Sequence, residues 1–151
     1  MPSGRIHAAT TVALSLAAGV GAYTQNQPVP VITALAGGCL AGLLLSPDLD
    51  VDQGSISMKF ARRSFGCLVG LIWAIYWKPY SAIIPHRSWL SHLPVISTAL
   101  RLLYMALPYL AWQWWQTRQI GFTLPDWFYL AFLGLCLSDL AHWAMDNTIR
   151  G

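Results

Sequence analysis

The chain alternates long apolar stretches with short polar ones, and most of the apolar stretches have the length of a membrane helix. Apolar segments run over about 6–23, 29–46, 65–77, 94–116 and 126–146. In the first, Ala9, Ala13, Ala17 and Gly21 recur every four residues, and in the second Ala34, Gly38 and Gly42 do the same. Small residues at that spacing form a smooth helix face that lets two helices approach closely in lipid, where packing itself supplies the attraction. The first two segments are therefore predicted to form an antiparallel hairpin, turning at Gln25, Asn26, Gln27 and Pro28, with Pro47 ending the second helix where Asp48 begins.

The fourth segment opens with Pro94, which suits a first helical turn, and carries Pro108, which predicts a kink. Trp112, Trp114 and Trp115 make an aromatic belt ahead of Arg118. The fifth segment follows Leu124 and Pro125, with Asp126 expected as its N-cap. The third is the exception. Its apolar run of 65–77 makes roughly 20 Å of helix against a hydrocarbon core of about 30 Å, and Lys78 and Pro79 are expected to end it. A segment this short is expected to lie at the interface or re-enter.

Topology follows from that exception. If the third segment does not cross, the polar residues flanking the other four helices gather on one side. Arg5, Lys59, Arg62, Arg63, Lys78, Arg87 and Arg150 then share that side, leaving mainly Arg118 opposite, and the excess of basic residues makes it cytoplasmic. The expected fold is an all-α membrane helical bundle spanning 1–151 as one domain, with four crossing helices and one short interfacial or re-entrant helix.

Composition agrees. Of 151 residues, 56% are hydrophobic and 10% charged, whereas soluble domains carry about 25% charged residues. Eight Trp and six Tyr suit membrane–water interfaces. The net charge of +3 is too small and scattered for a nucleic-acid partner. Cys39, Cys67 and Cys136 stand singly in apolar surroundings and are expected to pack as small apolar residues. No small-residue cleavage site follows the first apolar run, so it is expected to be retained.

All four His and five of the six acids fall in four polar patches, and there is no Glu. The patches are Arg5-Ile6-His7, residues 48–52, residues 86–92 and residues 139–146. His with Asp and no neighbouring Lys is a donor set for a divalent cation. Asp139, His142 and Asp146 lie on one helix face, two turns long. Asp48 and Asp50 point the same way if the backbone is extended, while Asp52 is expected to lean toward solvent. Pro85 and Pro94 bracket His86 and His92, predicting a bent entry that brings both rings together. Arg87 between them offers a planar fork suited to phosphate or carboxylate. Clustered carboxylates at a low-dielectric boundary repel unless protonated or cation-bound. The expected ligand set is His7, Asp48, Asp50, His86, His92, Asp139, His142 and Asp146, enough for two ions.

An early His, a Pro-Asp-Leu-Asp patch at 47–50, a His-Arg-Ser-x-x-Ser-His patch at 86–92 and an Asp-x-x-His-x-x-x-Asp patch at 139–146 resemble a bacterial, often cyanobacterial, family of uncharacterised metal-binding membrane proteins. The resemblance covers almost the whole chain. More distantly, the chain is similar to inner-membrane metal-dependent hydrolases, and its His-x-x-x-Asp element to the zinc-dependent phospholipase C and P1 nuclease group. Here His92 is followed by Leu93 where the hydrolase signature has Ser. These resemblances imply metal binding and suggest phosphoester hydrolysis by analogy.

The expected function is a membrane-embedded, metal-dependent hydrolase acting on a phospholipid or lipid phosphate at the cytoplasmic face of a bacterial inner or thylakoid-type membrane. Zinc is the expected ion, with manganese and iron also suited to the donors. Asp50 serves as catalytic carboxylate as well as ligand, and Arg87 as phosphate clamp. The alternative is a non-catalytic accessory or assembly protein of a larger membrane complex, with a closed metal site. Transport is disfavoured because nothing ionisable continues to the far side.

Overall fold

The computed structural model describes residues 4–50, 55–85, 88–121 and 123–148, with the side chains of Asp50, Ile56, Trp89 and His92 outside that description. These residues form an all-α bundle. In order come α1 (Gly4–Thr24), α2 (Val29–Ala41), a 3-10 turn (Pro47–Asp50), α3 (Ile56–Phe65), α4 (Cys67–Ile83), the single turn α5 (Trp89–His92), α6 (Pro94–Thr117) and α7 (Asp126–Thr148). Helices α1, α6 and α7 are each long and apolar enough to cross a membrane, whereas α2 is apolar but shorter.

Helix α7 is the central post, packed against α2, α1 and α6. Its contact with α2 is a backbone-to-backbone approach. A Cβ at Gly38 would run into the Ala131 backbone, and one at Gly134 would meet the Leu35 carbonyl and the Cys39 amide. The Gly38–Gly42 face of α2 thus packs as a small-residue surface, but toward α7.

The hairpin of α1 and α2 forms, turning through Asn26 at φ 55°, but not through the alanine stripe. Ala9, Ala13, Ala17 and Gly21 face outward. The inward face is His7, Thr11 and Ser15, continued by Gly19 against Ala36. Hydrogen bonding explains the choice. Ser15 Oγ donates to the Ala36 carbonyl at 2.8 Å, and Thr11 and Ser138 hydroxyls meet at 3.3 Å. Turned inward, these hydroxyls find protein partners, which alanine does not need.

Helix α2 stops at Ala41, short of the expected end near residue 46. Gly42, Leu43 and Leu44 tighten into i→i+3 bonds of 3.0 Å each. The carbonyls this frees find side-chain donors, Leu44 from Ser57 and Leu45 from Arg101.

The third apolar segment also differs from expectation. Its helix α4 runs through Pro79 to Ile83, because Trp77 and Tyr80 on either side of the proline are buried in the core. Packing there outweighs the local preference to break. The preceding polar stretch, with no element predicted, forms α3, which Ser55 caps through the Met58 amide. Helices α3 and α4 make a hairpin hinged at Gly66, whose φ of 92° suits glycine. Both ends of this hairpin return to the same place. Ser57 bonds the Leu44 carbonyl, while Tyr80 and Ile84 join the cluster around Leu45 and Leu49. Among the described residues, the segment therefore begins and ends beside one turn.

The distribution of polarity is inverted relative to a water-soluble domain. Among the described residues, fourteen buried side chains are polar or charged and nine are apolar, counting Ala, Cys and Pro47 with the latter. Leu16, Val20, Leu71, Ile75 and Trp115 meanwhile stand at least 56% exposed. Cys39 and Cys136 pack inside as expected, but Cys67 is exposed.

Candidate metal centre

Three elements deliver donors to one end of the bundle. The first turn of α1 carries His7, the turn after α2 carries Asp48, and the last turns of α7 carry His142 and Asp146. The i,i+4 spacing of His142 and Asp146 stacks them on one face of α7, and the His7–Thr11–Ser15 face of α1 aims His7 at them.

The rings of His7 and His142 stack with centroids 4.0 Å apart and planes at 20°. The Asp146 carboxylate faces both, Oδ1 lying 3.3 Å from His7 Nε2 and Oδ2 lying 3.4 Å from His142 Nε2. Asp48 Oδ1 is 3.5 Å from His142 Nε2. His7, His142 and Asp146 are buried, and Asp48 keeps 26% of its side chain exposed, so it forms the rim.

These distances test whether the residues fit an ion. A charge-assisted N–H···O bond is typically about 2.7–2.9 Å, shorter than any of the three. Donors held tetrahedrally at about 2.0–2.1 Å from one ion sit roughly 3.3 Å apart. One donor atom each from His7, His142 and Asp146 can be chosen so that all lie within 4.8 Å of one another. Two imidazoles with carboxylates are also the donor chemistry that zinc, manganese and iron accept. Beside the cluster lies a cavity of about 20 Å³, lined by His7, Thr11, Ser46, Asp48, Ser138 and His142 among others, enough for one water-sized occupant. The residues fit a divalent ion.

Asp139, expected as a ligand, is engaged elsewhere. It lies one turn below His142, but its Oδ2 accepts hydrogen bonds from Arg101 and Thr98. Arg101 is wholly buried and also reaches the Leu45 carbonyl and, from Nε at 3.1 Å, the Ser97 carbonyl. It thus ties α6 both to α7 and to the segment that ends in Asp48. Arg101 is thus a buried cation beside one of the acids expected at the site. Sequence reasoning passed over Arg101, although one signal was present: an arginine inside an apolar segment needs a partner, and an aspartate inside another is a candidate.

For the remaining expected residues the placement is partial. His86 and Arg87 lie outside the described residues, as does Asp52. Asp50 ends the 3-10 turn and His92 ends α5, and these two elements pack together. Their side chains lie outside the description. Ser88 Oγ accepts from the Ser91 amide at 3.3 Å, capping that turn.

No curated protein and no solved structure matches the chain. A family model described as "Uncharacterized metal-binding protein (DUF2227)" matches residues 2–150. Nearly the full length is covered, and the chain belongs to this metal-binding family.

Proposed function

We propose that the protein is a membrane-embedded metalloenzyme that hydrolyses a phosphoester, a phospholipid or lipid phosphate, at the cytoplasmic face. The observation that carries the metal reading is the convergence of His7, His142 and Asp146, one donor atom of each within 4.8 Å of the others, with Asp48 at the rim 3.5 Å from His142. Zinc is the first candidate, with manganese or iron as alternatives. A divalent ion held there supplies Lewis acidity toward a phosphoryl oxygen. The chain's own residues do the rest. The buried imidazoles keep bulk water from one side, and the Asp48 rim leaves the other open. Asp50, on the same turn, serves as the proton-accepting carboxylate, and Arg87 holds the phosphate.

Membrane embedding is supported by the inverted polarity and by three helices of spanning length. In this reading α2, prolonged by residues 42–46, is the fourth crossing element, and the α3–α4 hairpin re-enters without crossing. The candidate site then faces the cytoplasm, in an inner or thylakoid-type membrane.

The test is elemental analysis of the purified protein against His142→Ala, followed by assay of the loaded wild type on phospholipid and lipid-phosphate substrates. Metal content near one or two per chain, lost in the variant and accompanied by release of phosphate or headgroup, is the expected result. Equal metal content in the variant sinks the site.

The burial of His7 and His142 and the small cavity favour a second reading, a closed site in an accessory or assembly protein of a larger membrane complex. Metal retained with no hydrolysis of any substrate, together with co-purification of partner subunits, selects it.

A further inference from the structure

The α3–α4 hairpin carries a surface that the metal centre does not use. Along the crease between the two helices runs a groove of about 510 Å³, lined by Met58, Lys59, Arg62, Gly70, Leu71 and Ala74 among others. Lys59 and Arg62, three residues apart, sit on the same side of α3. Gly70 makes the close approach possible, since a Cβ there would meet the backbone and Cβ of Arg62. The groove thus has a cationic wall from α3 and an apolar wall from α4.

Among the described residues, the charges on that wall are uncompensated. Helix α3 contains Lys59, Arg62 and Arg63 and no acid, and all three cations are exposed. No carboxylate among the described residues pairs with them. The apolar wall continues outward, with Leu68, Leu71, Ile72 and Ile75 each 56–66% exposed. A ligand matching both walls has an anionic head and a long apolar tail.

We propose that this crease binds an anionic glycerophospholipid, its phosphate against Lys59 and Arg62 and an acyl chain along Leu71 and Ala74. The inference shares with the proposed function only the membrane setting and is independent of the metal. A free phosphate compound would use the cations and leave the apolar wall bare. A zwitterionic lipid would use the wall and gain little from two cations.

The experiment titrates the detergent-solubilised full chain with phosphatidylglycerol, phosphatidylcholine or glycerol 3-phosphate. It reads the thermal midpoint and the lipid retained in native mass spectrometry. Phosphatidylglycerol is expected to raise the midpoint and remain bound, while the other two do neither. The double variant Lys59→Gln/Arg62→Gln should bind phosphatidylglycerol roughly 30-fold more weakly, the loss expected for two surface cations. Ala74→Trp, which fills the apolar wall without touching charge, should also displace the lipid. Both variants should keep wild-type metal content, so this proposal and the metal reading fail separately. Equal stabilisation by phosphatidylcholine, an equal effect of glycerol 3-phosphate, or undiminished binding in the double variant overturns the proposal.

Discussion

Arg101 and Asp139 form an ion pair almost wholly withdrawn from solvent, with side chains 0% and 1% exposed. Removing one partner of such a pair leaves an uncompensated buried charge, whereas removing both can be nearly neutral. Arg101→Met is expected to destabilise the protein by about 3–5 kcal/mol. Arg101→Met/Asp139→Leu should recover most of that loss. Unfolding midpoints in detergent measure both, and a double variant no better than the single one contradicts the pairing.

Glycine substitutions separate the packed face of α2 from its open one. Gly38→Ala drives a methyl into the Ala131 backbone, which has no flexible end to give way. Such overpacking costs about 1–3 kcal/mol. Gly37→Ala, one residue away, meets nothing within 4 Å and removes a poor helix former, which is worth up to about 1 kcal/mol. The first variant should lower the thermal midpoint and the second should hold or raise it. The reverse order would mean that α2 and α7 do not pack as described.

What was legible in the sequence depended on whether a local pattern was enough. His142 and Asp146 share a face by spacing alone, and His7 and Asp48 lie beside them, as the expectation of a non-crossing third segment required. Asp139 was not legible in that way. It shares the face with His142, but its partner Arg101 lies 38 residues earlier, and no periodicity links the two. The alanine stripe of α1 misled for a related reason. Ala9–Ala13–Ala17 and His7–Thr11–Ser15 have the same four-residue spacing, and only the hydrogen bonds across to Ala36 and Ser138 decide which faces in. Helix α3 was not legible because it is only ten residues long and mixes apolar with basic positions, and its amphipathic face acquires meaning only against α4. The break expected at Pro79 did not occur, because Trp77 and Tyr80 anchor the helix from both sides.

The candidate metal ligands should rank by burial and by the number of donors each faces. Asp146 is buried and meets both imidazoles, and Asp48 stands at the rim and meets one. Asp146→Ala should lower metal affinity at least as much as His142→Ala does, and Asp48→Asn should lower it less. Asp139→Asn should leave the stoichiometry unchanged while lowering stability, because its Oδ2 is committed to Arg101 and Thr98. Elemental analysis at controlled free metal distinguishes these outcomes. Loss of stoichiometry in Asp139→Asn would restore it to the ligand set.

Metal binding to the folded state alone stabilises it by mass action, about 2.7 kcal/mol at a free concentration of 100 Kd. Adding zinc to chelator-treated protein is therefore expected to raise its thermal midpoint, and the increase should vanish in His7→Ala. An equal rise in that variant would place the responsible ion elsewhere.

The proposed membrane topology follows from which loops share an end of the bundle. The turn at 25–28 and the segment after α6 lie at the end away from His7, Asp48 and Asp146, while α3 starts at the site end. In a Cys67→Ser background, which removes the exposed native thiol, single cysteines at exposed positions report this. Gln27→Cys and Gln119→Cys should react with an impermeant maleimide added outside intact bacterial cells stripped of their outer membrane. Lys59→Cys and Asn147→Cys should react only after the inner membrane is opened. If Gln119→Cys and Asn147→Cys label from the same side, α7 does not cross. If Lys59→Cys labels from outside while Asn147→Cys does not, the α3–α4 hairpin is not held on the cytoplasmic side, and the cationic crease loses its place at the cytoplasmic lipid surface.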